Sequence, residues 1–175
     1  LGIPPLWLRA NDFANLLLII LEQQVSLASA RAVFVRLKKK MGVIEPAAFL
    51  LLADDELRAL GFSRQKTRYG RELARAIEGG QLKLKSLAQL GDEAVRERLI
   101  EIKGIGRWTA EIYLLMILGR PDAWPVGDLA IVRAIRAVKN LDKDPTSAEL
   151  EQLAKAWRPW RSVAARVLWL HYLNR

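Results

Sequence analysis

Two sets of residues in this sequence have types and spacing that could do chemistry. The first lies in "LIEIKGIGRWTAEIYLLMI", Leu99 to Ile117, where Gly104 and Gly106 stand two apart between segments with helical apolar spacing. A glycine inside a helix costs about 1 kcal/mol relative to alanine, so the pair marks a tight turn where positive φ or close approach to another backbone is wanted. Ile105 between them can plug into the interhelical core, and Lys103 and Arg107 flank the turn. The N–H groups of such a turn, and of a helix starting at Arg107, point outward with the positive end of the macrodipole behind them. That surface suits a phosphate, although an unliganded αα-corner has the same pattern. The second is Asp128 in "RPDAWPVGDLAIVRAIRAV", where Pro125 and Gly127 force an irregular loop and Asp128 stands at the foot of a new helix. Aspartate is a favoured N-cap, typically worth about 1 kcal/mol. The same position beside a helix dipole favours the ionised carboxylate, the state needed to face a developing cation.

Composition removes much other chemistry. With no Cys there is no disulfide, iron–sulfur cluster or thiol nucleophile. With His171 alone there is no histidine-based metal site or Ser-His-Asp triad. Against 19 acidic residues stand 28 Lys and Arg, and a net charge of +9 favours a polyanionic partner, nucleic acid before an anionic membrane. The longest apolar run, "LLLIIL" at Leu16 to Leu21, is far short of the roughly 20 residues needed to span a bilayer and reads as a buried helix. No targeting segment is visible, so the cytosol or nucleoid is the expected address.

The elements that must position these groups are helices. Apolar residues recur at three and four, no segment keeps a strand's alternation for long, and the fold class is all-α. The pattern predicts helices over about 12–40, 46–52, 54–60, 64–78, 92–102, 107–118, 129–138, 147–157 and 160–173. "EGGQ" after Glu78 stops one of them, Thr146 with Glu149 makes a capping box, and Pro159 is expected just inside the last helix. With 51% apolar residues the chain can bury a real core, and one domain over residues 1–175 is expected, with the long first helix and the C-terminal third as two lobes around a cleft.

The stretch "LIEIKGIGRWTAEIYLL" resembles the helix-hairpin-helix of the DNA glycosylase superfamily, here over about 92–118, in which the hairpin binds the DNA backbone without reading sequence. "PVGD" is similar to the Gly/Pro-rich loop and aspartate of that superfamily, which makes residues 121–128 the expected catalytic loop and Asp128 the expected catalytic residue. An oxocarbenium-like sugar is what such a carboxylate would stabilise. "AWRPWRSVAARVLWLHY", "LEQQVSLASARAV" and "GFSRQKTRYGRELARAIEGGQL" resemble the 3-methyladenine DNA glycosylase II branch, so the likeness covers most of the chain. Family members often carry an extra N-terminal β-rich domain, and nothing in this sequence reads as one.

The resemblance implies roles for further residues. Trp108 and Trp169 match tryptophans lining the base pocket, while Trp7, Trp157 and Trp160 read as ordinary core aromatics. Ile112 and Leu129 fall near that pocket, where the better-known member has tyrosines. Trp108 also stands where bifunctional members carry a Schiff-base lysine, which implies a monofunctional enzyme. Lys103, Gly104, Ile105, Gly106, Arg107 and Thr109 are the expected DNA contacts, and Gln24, with Gln23 beside it, takes the wedge position that leucine holds elsewhere. Backbone carbonyls of Ile100, Ile102 and Ile105 correspond to a monovalent-cation site; no other cofactor or metal is expected. Arg158, Arg161 and Arg166 read as phosphate contacts or as a solvated helix face. The implied function is excision of alkylated purines from duplex DNA by a monomer that needs no membrane. Two rivals are a non-catalytic hairpin module that only binds DNA and a glycosylase for a neutral lesion such as uracil or hypoxanthine.

Overall fold

The structure, a computed structural model, describes residues 2–174, and no strand occurs among them. The chain divides into two compact units, residues 10–110 and residues 2–9 with 111–174.

In the first unit, α1 (Phe13–Glu22) starts at Asp12, whose side chain accepts from the Asn15 N–H at 2.8 Å. Leu16, Leu17, Ile19 and Ile20 are fully buried, as the apolar run predicts. The single helix expected over 12–40 is, however, two. Gln24 adopts a positive φ of 58°, and Ser26 caps α2 (Leu27–Met41) by accepting from the Ser29 N–H. A left-handed residue cannot continue a right-handed helix, so the chain turns at 23–26. Next come α3 (Pro46–Leu51), α4 (Asp54–Ala59) and α5 (Arg64–Glu78), with α5 stopping at the Gly79–Gly80 pair as expected. The short α6 (Leu84–Leu87) was not anticipated. Then α7 (Asp92–Ile100) and α8 (Arg107–Ile112) form the hairpin, closed by buried Val95, Leu99, Ile102 and Ile105.

In the second unit the chain continues from α8 as a π-helical segment, Tyr113–Ile117, in place of regular helix to residue 118. Two groups take up carbonyls there: Arg166 donates to Leu115 O at 2.8 Å, and the Arg9 N–H to Met116 O at 2.8 Å. A π turn is tolerated where such outside donors satisfy its carbonyls. Then follow α9 (Leu129–Val138), α10 (Ser147–Ala154) with the Thr146/Glu149 capping box in place, a 3-10 turn at Lys155–Trp157, and α11 (Arg161–Leu173) packed on α9. Pro159 lies before α11 rather than inside it, because Trp160 is the N-cap. Arg166 also reverses its sequence reading: it is 5% exposed and donates to Leu6 O and Leu115 O, so it is a structural residue and not a phosphate contact.

Candidate active site and nucleic-acid interface

The loop 121–128 is fastened by the start of α11. Arg161 grips Asp122 through two side-chain bonds of 2.8 and 2.7 Å, and this internal pairing, like that of Arg166, takes it away from solvent and phosphate alike. The Ser162 hydroxyl donates to Arg120 O at 2.7 Å and accepts from the Ala123 N–H at 3.0 Å. Glu111, 2% exposed, accepts from the Trp124 N–H, and Trp124 packs edge-on against Trp157. The Arg161 guanidinium holds the Asp122 carboxyl below the usual carboxylate range. A depressed folded value means that the pair's stabilisation is present above the ordinary carboxylate pKa and is lost as pH falls through the lower one. Asp122→Asn is therefore expected to cost about 2 kcal/mol at neutral pH and to flatten the acid-side fall in stability below about pH 4, read from urea melts at pH 7 and pH 3.

Held in this frame, Gly127 takes a φ of +80° and presents Asp128 as the N-cap of α9. Asp128 is 9% exposed, and its Oδ1 accepts from two neutral donors, the Ile131 N–H at 3.1 Å and the Trp169 indole Nε1–H at 3.1 Å. Trp169, 8% exposed, is met edge-on by Trp7 at 6.1 Å between ring centroids. Trp7 was set aside as an ordinary core aromatic; it belongs instead beside this site, and no local sequence pattern could reveal a contact across 162 positions. Leu129 follows Asp128 and is 61% exposed, whereas Ile112 is buried at 2%.

In the other unit, the hairpin turn assigns its two glycines different tasks. Gly104 has φ +98°, and a β-carbon there would overlap the Tyr69 ring of α5. Gly106 has no atom within 4 Å of where a β-carbon would sit, and it is exposed together with Lys103 and Arg107. The fold requires a glycine at 104, while the opening at 106 is space on the solvent side. Ile105 fills the interhelical core as expected, at 4% exposure. Arg68 lies over the Tyr69 ring, 5.5 Å from its centroid, adding a cation beside the turn. Trp108 is half-buried at the start of α8.

Thr109 corrects its expected role. It is 1% exposed, and its hydroxyl accepts from the Gln23 side-chain amide at 2.9 Å, so its side chain serves the fold rather than DNA. Gln23 is likewise committed, donating also to Gly104 O at 2.8 Å, which leaves exposed Gln24 as the residue of the pair facing solvent. Sequence reasoning missed Lys66, whose ammonium donates to Ile20 O and Gln23 O and which burial lowers to about 8. Of the three carbonyls matched to a cation site, Ile102 O accepts from the Ile105 N–H at 3.0 Å. A carbonyl oxygen has a second lone pair, so the all-oxygen donor set of Ile100, Ile102 and Ile105 fits a hard monovalent cation. Among the described residues no helix is long and apolar enough to cross a membrane, and no cluster of three metal-binding side chains occurs.

The chain is similar to several known proteins. A Bacillus subtilis protein designated YfjP is 32% identical across 94% of this chain, which spans 60% of that protein's length. DNA-3-methyladenine glycosylase 1 of Schizosaccharomyces pombe is 34% identical over 92% of this chain and 72% of its own length. A solved structure of the Schizosaccharomyces pombe 3-methyladenine DNA glycosylase with abasic DNA superposes with a TM-score of 0.86 at 32% identity, over 90% of this chain and 78% of that one. The model of the HhH-GPD superfamily of base excision DNA repair proteins matches residues 17–159, and the chain belongs to that superfamily.

Proposed function

We propose that this chain is a monofunctional DNA glycosylase that extrudes alkylated purines from duplex DNA and hydrolyses the N-glycosidic bond, leaving an abasic site. The observation that carries the reading is Asp128, buried at a helix N-cap with Oδ1 fixed by the Ile131 N–H and the Trp169 indole. As the bond between C1′ and the base nitrogen breaks, the base leaves with the electron pair and positive charge develops on the sugar. A pre-positioned carboxylate stabilises that charge without reorganisation and orients the water whose oxygen bonds to C1′, one of its protons passing to solvent as the abasic sugar forms.

Purines methylated at N3 or N7 are cationic and leave readily, which removes the need for a general acid. Aromatic faces attract such bases by about 0.5 to 2 kcal/mol per contact, the role proposed for Trp169 and Trp108, with Ile112 and Leu129 as aliphatic neighbours. Tryptophan at 108 has no amine to form a Schiff base, which supports hydrolysis over strand cleavage. The hairpin backbone from Gly104 to Arg107, with Lys103, would hold phosphate, and the Ile100, Ile102 and Ile105 carbonyls would hold a monovalent cation that adds positive charge there. Gln24 enters the stack as the wedge. We take the acting species to be a monomer on damaged duplex DNA.

Trp169→Phe keeps the ring but removes the indole donor to Asp128. One hydrogen bond of this kind is worth about 1 to 1.5 kcal/mol, so single-turnover excision should fall about tenfold, and the lost bond and smaller ring at a buried position should lower Tm by several degrees. The reading as a whole is tested with matched duplexes carrying 7-methylguanine, uracil or hypoxanthine. Preferential release of the methylated base is expected; preferential release of a neutral base overturns the alkylpurine assignment, and salt-dependent binding without release makes the chain a binding module.

A further inference from the structure

Between α1 and α2, exposed Gln24 sits at φ +58°, a conformation glutamine does not favour intrinsically. Its neighbour Gln23 explains how the turn is held. The Gln23 amide donates to Gly104 O at 2.8 Å and to Thr109 Oγ1 at 2.9 Å, so one side chain spans both ends of the hairpin turn. Lys66, on α5, donates to the Gln23 side-chain oxygen at 3.2 Å and to Gln23 O at 2.9 Å, as well as to Ile20 O. An ammonium has only donors, so it fixes which end of the amide is oxygen and directs the NH2 group at the hairpin. It also satisfies carbonyls at the C-terminal end of α1, where a cation is favoured. Neither hairpin acceptor depends on Lys66 directly; both reach it through Gln23.

We infer that Lys66 is a positioning residue for base extrusion: through Gln23 it locks the Gln24 turn to the Gly104–Thr109 hairpin, so that gripping the backbone and inserting the wedge are one mechanical event. The inference rests on the proposed reading in which Gln24 enters the duplex. Without Lys66 the amide oxygen and the Gln23 carbonyl lose their donor, the amide is oriented only by its own bonds to Gly104 O and Thr109 Oγ1, and the weakened turn lets Gln24 relax toward commoner backbone angles. The hairpin's own phosphate-binding surface is untouched, so DNA affinity changes little while unstacking suffers.

The test compares Lys66→Met, Lys66→Arg and Gln23→Leu with the unaltered chain on duplexes carrying 7-methylguanine beside 2-aminopurine, the lesion either paired with cytosine or mispaired. Fluorescence of 2-aminopurine reports unstacking on binding, and base release reports chemistry. Lys66→Met and Gln23→Leu should lose most of the fluorescence rise and slow release about 30-fold on the paired duplex, recovering to within about threefold on the mispaired one, where extrusion costs less. Lys66→Arg, which keeps the charge and the donors, should retain a rate closer to the unaltered chain. Equal slowing on both duplexes, or an undiminished fluorescence rise, overturns the inference. If Lys66→Met does not fold, Gln23→Leu carries the same comparison with Lys66 intact. Should the unaltered chain unstack the duplex without releasing any base, the glycosylase reading fails, and loss of unstacking in the variants still supports the role of Lys66.

Discussion

Asp128→Asn should abolish base release, lowering the single-turnover excision rate by on the order of 10³-fold, while duplex affinity stays within about twofold of the unaltered chain. Asparagine is as good an N-cap as aspartate, and its side-chain oxygen can still accept from the Ile131 N–H and the Trp169 indole. The frame around the loop, from the Asp122–Arg161 pair to the Ser162 hydroxyl, does not involve the substituted atom. What is lost is the negative charge proposed to face the sugar, so stability should be preserved and chemistry should not. A variant that melts at the same temperature, binds methylated duplex normally and releases no base separates the catalytic role from the capping role. A variant that remains active returns Asp128 to being a helix cap.

The glycines give the second large effect, and the two substitutions should diverge. Gly104→Ala forces a left-handed backbone onto alanine and drives a methyl group into the Tyr69 ring, next to the carbonyl that accepts from Gln23. Strain of about 1 to 2 kcal/mol from the backbone and a further 1 to 3 kcal/mol from overpacking should lower Tm by many degrees and weaken DNA binding with it. Gly106→Ala meets open space and has an ordinary φ, so stability should change by less than about 0.5 kcal/mol. Its methyl group instead occupies the place proposed for a phosphate, and DNA affinity should fall about tenfold. Thermal melts and a binding titration on the same preparations distinguish the two. Equal loss of stability in both variants would contradict the division of labour between the glycines.

The parts of the fold that were legible in the sequence are those where one residue type answers a local demand. Two glycines two apart announced the hairpin, although only Gly104, left-handed and against Tyr69, demands that residue type, and Pro125 with Gly127 announced the loop that presents Asp128. The buried α1 followed from an unbroken apolar run, and α10 from its capping box. The break after α1 was hidden because a left-handed glutamine has no sequence signature; the available signal was Ser26 three residues before Ser29, which does cap α2. The π-helical segment was hidden because the donors that take up its carbonyls, Arg166 and the Arg9 N–H, lie far away in the chain. Nothing in the local pattern singled out Lys66, since its acceptors are 43 to 46 positions away. Arg161 and Arg166 were misread for the same reason: an arginine's partner is a tertiary fact.

The most direct measurement is incubation of the chain with duplex DNA methylated at purines, followed by assay of free base in solution and of strand breaks before and after alkali. Release of methylated purine is expected, with strands intact until alkali opens the abasic sites. Breakage without alkali would contradict hydrolysis at Asp128 with water as the nucleophile, and absence of released base would contradict the glycosylase reading itself.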